Sequence, residues 1–245
     1  MQVSVLPTSA ETGAAAARLA AVTLRQVLAD RRAARIILAT GASQFDLLSN
    51  LAQADALDWR CVTAFHLDEY VGLPPSHPAS FRKYLQERFS SQVPLAAFHF
   101  IRGDAPDAQA ECDRVGALLR QAPVDLALVG IGENGHLAFN DPPADFATQA
   151  AYLIVNLDEA CRRQQVGEGW FTSLESVPPQ AISMSIHQIM TCRRIICTVP
   201  DLRKAAAVQR ALEGPVTPDC PASILQQHPD CHMFLDAASA SQLKG

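Results

Sequence analysis

The chain has 245 residues, 49% of them hydrophobic and 18% charged, with a net charge of −5 and a pI near 5.8. That length and apolar content suit one large α/β domain or two small ones, and the acidic balance argues against nucleic acid or an anionic membrane as partner. No apolar run reaches the roughly 18–20 residues needed to span a bilayer, and the opening MQVSVLPTSAETGAAAARLAAV lacks the basic-then-apolar pattern of a secretory leader.

In chain order, residues 8–30 carry a helical period with Thr8 or Ser9 as cap. RIILAT (35–40) predicts a strand and SQFDLLSNLAQA (43–54) the helix after it. CVTAFHLDEY (61–70) starts as a strand and ends in charge; GLPPSHP (72–78) is a loop, and ASFRKYLQERF (79–89) is helical. AFHFI (97–101) predicts a strand, DAQAECDRVGALLRQ (107–121) a helix, and VDLALVGIG (124–132) a buried strand. AYLIVNL (151–157) reads as a further strand, followed by a polar cover over 158–180. RRIICTVP (193–200) and RKAAAVQRALEG (203–214) form another strand–helix pair, and CHMFLDAASASQL (231–243) a last strand and short helix. Short apolar runs alternating with amphipathic ones indicate an α/β fold with parallel strands and crossover helices. No linker or repeat divides the chain, so residues 1–245 are expected to form one domain.

The seven cysteines are odd in number, scattered, and nowhere spaced C-x-x-C. Reduced thiols in a cytoplasmic protein are therefore expected, without disulfide or structural zinc.

Ligands of an open parallel sheet bind beyond the carboxyl ends of its strands, so the residues following each strand carry the functional signal. Thr40, Gly41, Ala42 and Ser43 lead into a helix, as a phosphate cradle does, although a turn capped by Ser43 explains the same letters. Asp68 at a strand end is placed as a general base, or as the cap of the next turn. His66, within the strand run, reads as a packed histidine. The loop GIGENGHLAFNDPP (130–143) sets His136 between Asn134 and Asp141, and a carboxylate or amide on one ring nitrogen would fix its tautomer for proton shuttling. Lys204 opens a helix, either as a counter-charge to phosphate or as a solvated lysine. A metal held by His136, Asp141 and Asp68 is disfavoured, because no tight His/Cys cluster accompanies them.

The segments AFHLDEYVGLPPSHPASFRKYL, GIGENGHLAFNDPPADF and RKAAAVQRALEGPV resemble glucosamine-6-phosphate deaminases, within the wider group that includes 6-phosphogluconolactonases. The resemblance spans roughly 30 to 240 and implies a Rossmann-like three-layer sandwich with a mostly parallel sheet. It implies conversion of glucosamine 6-phosphate to fructose 6-phosphate and ammonia, with no cofactor and no metal. It assigns Asp68 the C2-to-C1 proton transfer, His136 the ring opening, Asn134 and Asp141 its support, and Thr40–Ser43 with Lys204 the phosphate. The stretch 158–180 becomes a lid whose phosphate-binding arginine falls on Gln165, with Arg162 or Arg163 as replacements.

Residues 142–155 hold no Lys or Arg, so the allosteric site of some members is not expected. HLAFND after Gly135 departs from the H-T-A-S-L-F-P that lactonases resemble, which disfavours the hydrolase alternative. A non-catalytic sugar-phosphate sensor would come fused to a helix-turn-helix, for which the chain has no basic helix. Monomer and homo-oligomer stay open.

Overall fold

The computed structural model describes residues 1–244. The chain runs β1 (Gln2–Leu6), α1 (Ser9–Arg31), β2 (Ala34–Leu38), α2 (Phe45–Ala52), β3 (Val62–His66), β4 (Asp68–Tyr70) and α3 (Phe81–Leu85). It continues with β5 (Ala97–His99), α4 (Ala108–Leu119), β6 (Leu126–Val129), β7 (Tyr152–Asn156), α5 (Glu159–Gly167) and β8 (Gln180–Met184). It ends with α6 (Ile186–Met190), β9 (Arg194–Val199), α7 (Ala205–Glu213) and β10 (Cys231–Asp236).

Seven strands form one sheet in the order β1-β10-β9-β6-β2-β3-β5, every pair parallel. Side chains alternate between its two faces, as a pleated strand requires. Ile36 and Leu38 pack with Leu24 of α1 and Leu47 of α2 on one side. Ile37 packs with Val115 of α4, Val208 of α7 and Ile189 of α6 on the other. The result is the expected sandwich, a single domain around a mostly parallel sheet.

The second sheet was not foreseen. It holds three antiparallel strands in the order β4-β8-β7, with Asp68 opposite Ser183 and Leu153 opposite the same serine. AYLIVNL thus forms a strand, but not of the main sheet. Residues 180–192, which carry no clear period, supply β8 and α6. Leu67 joins the two sheets: its N–H donates to Leu38 O at 3.2 Å and its carbonyl accepts from Met184 N at 2.7 Å. Strand β1 also escaped the sequence reading. It is an exposed edge strand of alternating polar and apolar residues, with no buried run to announce it.

The helix expected near the C-terminus does not form. Beyond β10, Asp236 accepts from Ser239 N at 2.7 Å while Ser239 Oγ accepts from Asp236 N at 3.2 Å. Side-chain bonds of this kind compete with helix formation and leave a series of turns. All seven cysteines are free thiols, six of them buried. None of the described helices is long and apolar enough to cross a membrane.

Candidate active site

The main sheet changes direction between β2 and β6: the chain leaves β2 toward β3 on one side, and β6 leads to β9 on the other. A crevice opens at such a switch point. Here it is a cavity of about 420 Å³ lined by the segments that follow β2, β3, β6 and β9, four neighbouring strands. Thr40, Gly41, Ala42, Ser43, Asp68, His136 and Lys204 all line it. Asn134 and Asp141 stand behind His136.

The 40–43 segment is not a Ser43-capped turn. Gly41 has φ +96°, a backbone angle that favours glycine, and its carbonyl accepts from Tyr84 Oη at 2.8 Å. Ser43 Oγ accepts from Gln44 Nε2 at 3.1 Å, and α2 begins without a side-chain cap. The Gln44 and Phe45 amides bond back to Gly41 O and Ala42 O, which leaves the amides of 41–43 as the ones available to an anion. Lys204 lies opposite, its side chain only 8% exposed and Nζ 3.9 Å from Glu133 Oε1. Burial lowers its ammonium pKa, while Glu168 and Glu133 work against that shift.

The tandem carboxylates Asp68 and Glu69 have opposite fates. Glu69 accepts from Ser80 Oγ at 2.9 Å, Phe81 N at 3.2 Å and Arg82 N at 2.9 Å, so it fixes the start of α3. Asp68 faces the cavity, and its buried Oδ1 has no hydrogen-bond partner. Burial, then the adjacent Glu69, raises its pKa well above the ordinary carboxylate range. A desolvated, unpaired carboxylate in a cleft is suited to take up a proton. His66 is the packed histidine expected: its Nε2 accepts from Ile101 N at 2.8 Å, and burial takes its pKa down to about 3.

The loop after β6 is shaped around an imidazole. A Cβ on Gly132 would stand 2.3 Å from the His136 ring, so the side chain fits only over a glycine. Asn134 Oδ1 accepts from His136 N at 3.0 Å, and Asn134 Nδ2 donates to Asp141 Oδ1 at 3.0 Å. His136 Nδ1 is 3.1 Å from that same Asp141 oxygen. The contact lies off the ring N–H axis, so Nδ1 has no aligned hydrogen bond. Burial raises the Asp141 pKa, but His136, Asn134 and the Asp158 N–H outweigh it and leave the carboxyl below its usual range. Asp141 is therefore an anion behind the imidazole.

Residues 158–180 cover one side of the cavity with Gln164, Gln165, Glu168 and Trp170. Arg162 and Arg163 do not line it. Arg162 Nη2 donates to Leu174 O at 2.6 Å, and Arg163 pairs with Glu159 at 2.5 Å on the surface. Helical rotation explains the difference, because Gln164, Gln165 and Glu168 share the inward face and the two arginines fall outside it. Gln165 accepts from Tyr70 Oη at 2.8 Å. Among the described residues, Arg203 and Lys204 are the lysine and arginine side chains that line the cavity.

Arg203 was missed as a site residue, as were Glu168, Trp170 and Cys161. Arg203 follows β9 directly and was available to the strand-end argument that selected Lys204. Its guanidinium pairs with Asp201 at 2.7 Å and approaches Glu133 at 3.7 Å. Cys161 on α5 brings its sulfur within 4.8 Å of ligand atoms of both His136 and Asp141. Nothing in its spacing announces that meeting.

A cavity-facing carboxylate, an imidazole backed by an anion, and a seat of open amides and cations define an acid–base enzyme of the parallel α/β class. The family model described as "Glucosamine-6-phosphate isomerases/6-phosphogluconolactonase" matches residues 7–233, and the chain belongs to that family. It is 41% identical over 235 residues to a glucosamine-6-phosphate deaminase of Exiguobacterium sp., covering 95% of this chain and 90% of that one. It is 37% identical to a glucosamine-6-phosphate deaminase of Lactobacillus delbrueckii subsp. bulgaricus, with both chains covered completely. A solved structure of a monomeric glucosamine-6-phosphate deaminase superposes with a TM-score of 0.92 at 32% identity, covering 99% of this chain and all of that one.

Proposed function

We propose that this enzyme converts glucosamine 6-phosphate and water to fructose 6-phosphate and ammonia by acid–base catalysis in the cytoplasm. The observation that carries the reading is the meeting of Asp68, His136, Lys204 and the 40–43 segment around one cavity. All these groups come from a single chain, so a monomer suffices for the chemistry.

The closed pyranose has no acidic C2 proton, so the ring opens first. His136 gives a proton to the ring oxygen and accepts the one leaving O1. Asp141 and Asn134 hold the imidazole in register for this exchange. The open-chain aldehyde acidifies C2; the Asp68 carboxylate takes that proton as His136 returns one to O1, which gives an enolamine. Protonated Asp68 returns it to C1, leaving an imine at C2. Water adds to this imine and ammonia departs, which completes the ketose. Acid–base groups of this kind each contribute about 10²–10⁴ in rate.

The phosphate is taken by the open amides of 40–43 with Lys204, and Arg203 adds a second cation. Residues 158–180 act as a lid, with Gln165 in place of a lid arginine. The test is a coupled assay of ammonia and ketose phosphate over glucosamine, galactosamine and gluconolactone 6-phosphates. Equal release of both products from an amino sugar is expected; lactone hydrolysis with no ammonia would overturn the reading.

A further inference from the structure

His136 presents one edge to the cavity and keeps the other, Nδ1, against Asp141. Behind that second edge stands Cys161, brought there by the first turn of α5. Sγ of Cys161, a carboxylate oxygen of Asp141 and a ring nitrogen of His136 all lie within 4.8 Å of one another. Cys161 is buried, and the side chains of His136 and Asp141 are only 12% and 8% exposed. Nδ1 has no aligned hydrogen-bond partner despite its burial.

We propose that His136 Nδ1, an Asp141 oxygen and the Cys161 thiolate form a site for a divalent ion of the zinc class, and that the bound ion stops turnover. One nitrogen, one oxygen and one sulfur donor suit a borderline-soft cation with tetrahedral preference. Magnesium and calcium, which want oxygen alone, do not suit this set. Zinc bonds of about 2.0–2.3 Å put neighbouring ligands in a tetrahedron about 3.5 Å apart. Each pair here is already within 4.8 Å, so small side-chain rotations close the site.

Cys161 is a protonated thiol without the ion, its pKa pushed up by burial and then by the nearby Asp141 and Asp158. On binding, the S–H bond breaks, the proton passes to solvent, and the sulfur pair forms the bond to the metal. The dication offsets the negative charge that Asp141 and Asp158 place beside the sulfur. A water takes the fourth position.

Two effects follow. Asp141 is drawn from the imidazole to the metal, and α5 is bonded to the loop after β6. The inhibition rests on the proposed role of His136, whereas the binding does not. The Asp68–His136–Asp141 metal set weighed from the sequence differs in one ligand, since Cys161 replaces Asp68.

The test uses the full chain without substrate, titrated with Co²⁺ as a spectroscopic probe and with Zn²⁺. Wild type is expected to bind one Co²⁺ with a thiolate-to-metal charge-transfer band that Zn²⁺ displaces. Cys161→Ser should lose the band and need at least about tenfold more Zn²⁺ for half-inhibition. Cys220→Ser, at a buried cysteine outside the cluster, should keep both. A band that survives Cys161→Ser overturns the proposal. Should that variant not fold, anomalous density from a zinc-soaked wild-type crystal decides: a peak among the three residues upholds the site, and a peak elsewhere or none overturns it. Because binding is read without substrate, its failure is separate from any failure of the deaminase reading.

Discussion

Asp68 joins a chemical demand to a cost in stability. A group whose pKa is raised by folding stabilises the native state below its unfolded pKa of about 3.9 and loses that contribution as pH climbs through the folded value. Ionised Asp68 therefore weakens the fold near neutrality. Asp68→Asn should melt higher than wild type at pH 7, by about 2–4 °C for each kcal/mol relieved, and the gain should vanish near pH 4. The same substitution should lower kcat by about 10²–10⁴. Since the base must be a carboxylate, kcat/KM of wild type should fall on the acid side at a pH well above 4. A fall centred on an ordinary carboxyl value would contradict the burial seen for Asp68. For His136→Gln, we expect the greatest loss on closed-ring substrate; an equal loss on a substrate held open would remove the ring-opening role. The pair Asp68–Glu69 shows what the sequence hides at this scale. Both acids follow the same strand, and only the fold gives Glu69 its three donors from 80–82 and leaves Asp68 Oδ1 with none.

At the scale of elements, the loop after β6 and the turn before α7 are built for close approach. Gly132 leaves no room for a methyl group under the imidazole. Gly132→Ala should displace His136 and cost about 10²-fold in kcat, with about 1–3 kcal/mol of stability lost to overpacking. Activity near wild type, read beside a melting curve, would show that the ring position is not critical. Lys204→Met keeps the stem of the side chain and removes its charge. It should reduce kcat/KM by about 10- to 100-fold, chiefly through KM, as expected when one charged hydrogen bond to phosphate is lost. The motif loops were legible because strand ends collect chemistry in parallel sheets, and that rule selected Thr40–Ser43, Asp68, His136 and Lys204 together. The inward face of α5 was legible only at Gln165, where the resemblance put the lid contact; Arg162 and Arg163, the offered replacements, turn away, while Gln164 and Glu168 join Gln165 at the cavity. A polar segment offers no hydrophobic stripe from which its facing could be read.

Over the whole molecule, seven parallel strands with the crevice between β2 and β6 explain why distant segments of one chain meet. Residues 36–38, 64–65, 126–129 and 195–197 make continuous apolar runs because both faces of the main sheet are covered. Those runs carried the α/β reading. The smaller antiparallel sheet left a weaker mark: β7 is mostly half-buried with no alternation between its faces, and β8 pairs with β4 and β7, both earlier in the chain, in ways no local pattern encodes. That sheet nonetheless sets Asp68 in place, through the pairing of β4 with β8. The central claim is that carboxylate and imidazole act on one sugar phosphate held by the turn and lysine across from them. The most direct measurement is the reaction of glucosamine 6-phosphate in D₂O, with ammonia and ketose phosphate quantified and C1 of the ketose examined by NMR. Wild type should release both products in equal amounts, with substrate C2 hydrogen carried to C1 of the ketose and deuterium entering only as the Asp68 proton exchanges with solvent, and Asp68→Asn should release both about 10²–10⁴-fold more slowly while still binding the sugar phosphate. Product formation by the variant at the wild-type rate would contradict the account.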